Sequence, residues 1–139
     1  MQATTLCADA GEPRQWWNGE LFHRILVDAP CSGTGVIRRH PDIKLHRRES
    51  DLQALVAEQT RLLDALWPLL APQGLLLYAT CSYLPRENDH VLADFLAKHP
   101  DASGKPLPCA WGRATGHGRQ VLPGQDTMDG FYYALLGKR

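Results

Sequence analysis

No C-x-x-C pair occurs among the four cysteines, so the chain lacks the usual signature of a zinc ribbon or a thioredoxin-type redox centre. No apolar run approaches the roughly 20 residues that cross a bilayer, so no membrane partner is expected. The opening residues, Met1-Gln2-Ala3-Thr4-Thr5, supply neither a basic segment nor an apolar one, and no secretory leader is read there. Neither sign of charge is in excess. The 15 Lys+Arg balance 15 Asp+Glu, which excludes a histone-like polycation but leaves local nucleic-acid binding open. Internal repeats and low-complexity tracts are also missing. Four cysteines in 139 residues are too sparse for a disulfide framework, so free thiols in a reducing, cytoplasmic compartment are expected. What remains is ordinary globular material. Hydrophobic residues make up 44%, enough for one domain with a core and too many for wholesale disorder.

Along the chain, strand and helix patterns alternate. Thr4-Thr5-Leu6-Cys7 reads as a short strand before a turn at Asp9-Ala10-Gly11. Phe22–Val27 reads as a buried strand, stopped by Pro30 and Gly33. Ser50-Asp51-Leu52-Gln53 fits a capping box, and Leu52, Leu55, Val56, Gln59, Leu62, Leu63 and Leu66 recur at helical spacing until Pro68. After a turn at Pro72-Gln73-Gly74, Leu75–Thr80 is a near-continuous apolar run, as in a doubly covered strand. Pro85 suits a helix start. Val91, Leu92, Phe95 and Leu96 give that helix an apolar face before Pro100. Residues 101–130 hold six Gly and three Pro and read as a long loop with a short strand at Gln120–Leu122. Phe131–Leu136 closes the chain as a strand. The alternation predicts an α/β fold with parallel strands.

Chemistry concentrates at two strand ends. Asp28-Ala29-Pro30-Cys31-Ser32-Gly33 leaves the first main strand, and Thr80-Cys81-Ser82 ends the second. A right-handed crossover through one helix makes these strands parallel, so their carboxyl ends share the sheet edge where α/β proteins bind ligands. Two thiols and a carboxylate therefore converge. A disulfide, a metal site lacking a clear fourth ligand, and covalent catalysis by a thiolate are all open to such a pair. Arg38, Arg39, Lys44, Arg47 and Arg48 follow closely, opposed only by Asp42. They form either a solvated face or a phosphate-binding strip. A thiol beside a phosphate strip suggests covalent chemistry on a nucleotide base.

Several motifs carry a family resemblance. Asp28-Ala29-Pro30-Cys31-Ser32-Gly33-Thr34-Gly35, Arg39-His40-Pro41-Asp42, Ala79-Thr80-Cys81-Ser82, Glu87-Asn88 and Asp129-Gly130-Phe131-Tyr132 stand in the order found in the Sun (Fmu) family. The chain resembles these S-adenosylmethionine-dependent RNA cytosine-C5 methyltransferases over nearly its whole length. The likeness implies a Rossmann-like domain, a mostly parallel sheet with an antiparallel last strand, and small-subunit rRNA as partner. Cys81 matches the nucleophile that adds to C6 of cytosine. Cys31 matches the cysteine that assists product release. Asp28 matches an acidic position near the cofactor and target base, and Asp9 one that holds the cofactor's adenosine. Gly33-Thr34-Gly35 becomes active-site loop, and the basic residues become RNA contacts. A flipped or single-stranded base would expose C6 to a thiol, and a nearby carboxylate would hydrogen-bond the exocyclic amine or supply a proton.

The family's glycine-rich cofactor loop, the acidic residue after its second strand and its N-terminal RNA-binding domain have no counterpart in these 139 residues. The expectation is a single partial domain over 1–139: the carboxy-terminal half of a catalytic domain, keeping strands three to seven. Its exposed sheet edges would invite self-association. Arg86 stands where the family carries an acidic residue, and Leu45-His46 replaces a more aromatic segment. A catalytically silent fragment that binds RNA weakly is the alternative, and a thiol redox protein built on Cys31 and Cys81 is a third reading.

Overall fold

The computed structural model describes residues 3–139. Its frame is one parallel ladder extended by antiparallel strands. Strand β1 (Phe22–Asp28) is followed by a short helix α1 (Ile43–His46) and the long helix α2 (Glu49–Leu66). Then come β2 (Leu70–Thr80), helix α3 (Asp89–Lys98), and strands β3 (Ala102–Lys105), β4 (Arg113–Ala114), β5 (Arg119–Val121) and β6 (Phe131–Lys138). The strand order is β1-β2-β6-β5-β4, with β3 also paired to β6. β1 and β2 are parallel, and the last strand β6 runs antiparallel to β2, both as expected. β3 and β5 join β6, and β4 joins β5, in antiparallel fashion.

Four local expectations change. Thr4–Cys7 pairs with no strand among the described residues and lies exposed, because a strand needs a neighbour for its N–H and C=O groups. Helix α2 starts one residue before Ser50, and its cap is not the Ser50/Gln53 box. The Asp51 carboxylate instead reaches back to the Arg48 amide at 2.9 Å. The segment read as a loop holds β3 and β4 as well as β5. Its Gly/Pro composition hides strands whose existence depends on pairing, β3 with distant β6 and β4 with β5. Pro72-Gln73-Gly74, read as a turn, lies within β2 as an irregularity, with Gln73 at φ +62° and the β1 register shifting beside it.

Helices α2 and α3 cover one face of the sheet. Leu62, Leu63 and Leu66 of α2 and Val91, Leu92 and Phe95 of α3 are buried with Leu76, Tyr78, Tyr132, Ala134 and Leu136. Trp67 packs edge-on to Phe95 at 5.3 Å and donates its indole N–H to Asp101 at 3.1 Å. The other face is sparsely covered. Leu26, Leu77 and Leu135 lie side by side across β1, β2 and β6, and Leu26 is 65% exposed. One long edge of β1 is unpaired among the described residues. No helix among the described residues is long and apolar enough to cross a membrane.

Candidate active site

The parallel ladder sets the two cysteine loops level. Val27 pairs with Tyr78 and Asp28 with Ala79, and the Ala29 amide bonds the Ala79 carbonyl at 2.9 Å. Both loops therefore leave the same edge. Their tips are tied directly: the Gly35 amide donates to the Cys81 carbonyl at 2.9 Å, and the Gly130 amide to the Gly35 carbonyl at 2.8 Å. A Cβ on Gly35 would collide with the Gly130 carbonyl and lie 2.8 Å from the Cys81 carbonyl oxygen, so only glycine permits this approach.

The result is a thiol pair. Cys31 Sγ and Cys81 Sγ are 3.4 Å apart, hydrogen-bonding distance for sulfur and far beyond the 2.03–2.05 Å of a disulfide bond. Both are free and half-buried. The two sulfurs are not equivalent. A hydrogen bond from Cys31 lowers the Cys81 thiol to about 7, against desolvation and the negative charges of Asp28 and Glu87. Cys31 moves the opposite way, held protonated by its bond to Cys81 and by burial. Cys81 is thus the more acidic thiol of the pair, with Cys31 as its S–H donor.

One side chain holds both loops, and sequence reasoning gave it no role. Glu87 is fully buried. Its Oε1 accepts from the Ser32 amide at 2.7 Å and from Gln59 Nε2 at 3.2 Å. Its Oε2 accepts from Ser32 Oγ and Ser82 Oγ, both at 2.6 Å. Ser32 follows Cys31 and Ser82 follows Cys81, so one carboxyl group cross-links the residues next to both sulfurs. Below it, Asn88 accepts from Thr80 Oγ1 at 2.6 Å and donates to the Ser82 carbonyl at 3.0 Å. Gln120 of β5 donates to the same Ser82 carbonyl at 3.2 Å. Burial of these polar groups is tolerated because nearly all find partners within the network, Gln59 Oε1 being the one buried side-chain polar atom among the described residues without one. The available signal was a Glu-Asn pair set between a strand end and an apolar helix, where charge is rarely buried without partners.

The remaining candidates separate. Asp28 ends β1, exposed, close enough for its charge to act on Cys81, and it accepts no hydrogen bond among the described residues. Asp9 is held elsewhere. Arg61 of α2 donates to both its oxygens at 2.9 and 3.0 Å, and the Gly11 amide adds a third bond, which lowers its pKa. The basic run does not form one strip. Arg47 Nε donates to the Ser32 carbonyl at 2.7 Å and so braces the Cys31 loop. Arg38 donates to the Thr127 and Met128 carbonyls, and Arg39 pairs with Asp129 at 2.6 Å. Arg48 uses its backbone amide to cap α2, and Lys44 is exposed on α1. Arg86 pairs with Glu49 at the start of α2.

The chain has relatives among known proteins. The family model described as 16S rRNA methyltransferase RsmB/F matches residues 1–137. The chain belongs to that family. It is 52% identical over its whole length to a ribosomal RNA small subunit methyltransferase B of Vibrio vulnificus, and covers 32% of that protein. It is 53% identical over 131 residues to the Xanthomonas campestris protein of the same name, covering 94% of this chain and 30% of the relative. The chain therefore spans about a third of the length of these curated relatives. Among solved structures, PH0851 superposes with a TM-score of 0.86 at 33% identity, over 96% of this chain and 30% of that one. NSun6 from Pyrococcus horikoshii with SFG superposes at 0.83 and 24% identity, over 96% and 34%, a likeness of fold. These matches agree with the α/β methyltransferase fold and the family membership read from the motifs.

Proposed function

We propose that this chain carries the catalytic cysteine half of an S-adenosylmethionine-dependent RNA cytosine-C5 methyltransferase acting on small-subunit rRNA. The observation that carries the reading is the Cys31–Cys81 pair at 3.4 Å, in which Cys81 is the more acidic thiol. A thiol lowered to about 7 is a thiolate for about half of the molecules at neutral pH, and a thiolate adds to electron-poor carbons. Cys81 Sγ forms a bond to C6 of the target cytosine, and the C5=C6 electron pair moves onto C5. The cofactor, when bound, supplies the methyl group that C5 takes. Release then requires that the C5 proton leave, the C6–S bond break and the C5=C6 bond return, which restores the Cys81 thiolate. Cys31 is placed for this stage. Its raised pKa comes chiefly from its bond to Cys81, and once that sulfur is bound to carbon this cause is gone. Cys31 then loses its proton more readily and becomes the base for C5–H. Asp28 accepts a hydrogen bond from the exocyclic amine and orients the ring.

The residues fit the cofactor at one end. Asp28 offers an open carboxylate to a cationic methionine moiety. Asp9 would have to share its carboxylate with Arg61 to hold the adenosine. For RNA, exposed Arg38 and Lys44 carry no carboxylate partner and keep their charge for a phosphate, whereas Arg39 is paired with Asp129 and Arg47 is turned in to the Ser32 carbonyl.

In a longer protein carrying this chain, Cys81→Ser abolishes methyl transfer to cytosine, and retained activity would sink the nucleophile assignment. Cys31→Ser accumulates an RNA–protein adduct on a denaturing gel, and only free protein would remove its release role. A second reading, a catalytically silent piece with weak RNA binding, is favoured for the isolated chain because it spans only 32% of its relative. Calorimetric titration with S-adenosylmethionine decides. Micromolar binding overturns the silent reading, and no heat at millimolar ligand supports it.

A further inference from the structure

Beside the thiol pair lies an open groove of about 660 Å³, within the range of roughly 300–1,000 Å³ that holds small organic ligands. Its floor is aromatic. Phe131 and Tyr133 of β6 stack at 5.9 Å with an interplanar angle of 17°, and Trp111 stands edge-on to Tyr133 at 5.2 Å. Trp111 is 42% exposed, an uncommon state for the largest apolar side chain. The rim carries Arg38, Arg39 and Asp129. Arg39 and Asp129 neutralise each other, whereas Arg38 donates only to backbone carbonyls, so its positive charge is unbalanced. The groove neighbours the cysteine site across the sheet. Asp28, Ala79 and Tyr133 form one row across β1, β2 and β6. Burial and the charge of Asp28 both push the Tyr133 phenol upward, which places that carboxylate near the groove floor. The groove wall that follows the Cys31 loop is also joined to β6 through the Gly35–Gly130 bond.

We infer that this groove is a stacking subsite for a nucleotide neighbouring the target cytosine, with its base on the exposed ring face of Trp111 and its phosphate at Arg38. The inference rests on the proposed RNA substrate and extends it. Flat aromatic faces accept any base, and a single uncompensated guanidinium suits one phosphate. An acidic peptide would use the charge but would leave the flat aromatic surface without a matching partner. The subsite reads strand geometry rather than sequence, and single-stranded or flipped-out RNA is the form that fits it.

The test uses the 139-residue chain and a nine-nucleotide single-stranded RNA of uridines with one central cytosine. Either nucleotide beside the cytosine is replaced in turn by an abasic residue or by 5-iodouridine. Trp111→Ala is expected to weaken binding by about tenfold, the scale of losing one stacked base. The abasic RNA at the occupied position weakens parent binding by the same factor and costs the Trp111→Ala chain nothing further. Trp111→Phe restores most of the affinity. Irradiated 5-iodouridine RNA cross-links to peptides containing Trp111, Phe131 or Tyr133. Equal affinities for parent and Trp111→Ala, additive losses, or cross-links confined to other peptides overturn the subsite while leaving RNA binding intact. Failure of the parent chain to bind any of these RNAs overturns both the subsite and the RNA reading on which it rests.

Discussion

Removing the Glu87 carboxyl should cost the fold more than any surface change, and the structure sets the amount. In Glu87→Ala four donors lose an acceptor. Two of them recover. Ser32 Oγ and Ser82 Oγ rotate onto Thr34 Oγ1, which lies 3.1 and 3.0 Å away. The Ser32 amide is fixed by the backbone and cannot turn. Gln59 Nε2 keeps its 2.9 Å bond to the Pro30 carbonyl but loses the other. One buried amide without a partner, one half-satisfied amide and the space of the missing side chain add to about 4 kcal/mol. Glu87→Gln behaves differently. Its carbonyl can take the place of Oε1 and keep both amide donors, while its NH₂ meets two hydroxyls that rotate to accept. About 1 kcal/mol is expected for that variant. Urea unfolding followed by far-ultraviolet circular dichroism measures both, read as midpoint changes at constant slope. An alanine variant within about 1 kcal/mol of the parent would refute the clamp, as would a glutamine variant as damaged as the alanine one.

The thiol pair makes a pH-dependent prediction. Cys31→Ala removes the S–H donor, so Cys81 rises from about 7 towards its ordinary value of 9.0, and the midpoint of its alkylation rate against pH rises with it. An unmoved midpoint would remove Cys31 as the cause. The same pair shapes stability. Cys81 is depressed in the fold, so its contribution is present above the thiol's unfolded pKa and fades as pH falls through about 7. Cys31 is raised, so its contribution is lost as pH climbs past the unfolded thiol value of about 8.5. The difference between the parent and a Cys31→Ala/Cys81→Ala chain should therefore peak near pH 8, measured by thermal unfolding, and a flat difference counts against the coupling. Gly35→Ala forces two loops apart and should destabilise by about 2–3 kcal/mol, with slower alkylation of Cys81 as the local readout. Asp89 binds Thr115 Oγ1, the Gly116 and His117 amides and the Tyr132 hydroxyl, so Asp89→Ala should expose the β4–β5 turn to limited proteolysis first.

The sequence alone was enough for β1, β2, α2, α3 and β6, because each carries its own periodicity or a continuous apolar run with Gly or Pro at its ends. It was also enough to bring Cys31 and Cys81 to one edge, since two parallel strands ending at thiols leave little choice of geometry. Contacts between distant residues were beyond its reach. β3 and β4 exist only through β6 and β5, so no local pattern marks them. The basic run looked continuous, yet Arg47 turns in to Ser32 while Arg38 and Arg39 turn out to 127–129. Asp9 reads as an unpaired carboxylate until Arg61, 52 residues on, pairs with it. Motif resemblance picked out Cys81 as the nucleophile, but why its sulfur is the more acidic one, and which carboxyl group clamps both loops, were decided by tertiary structure. Hydrogen bonds and charges act through space, and here they join positions about 50 residues apart in the chain.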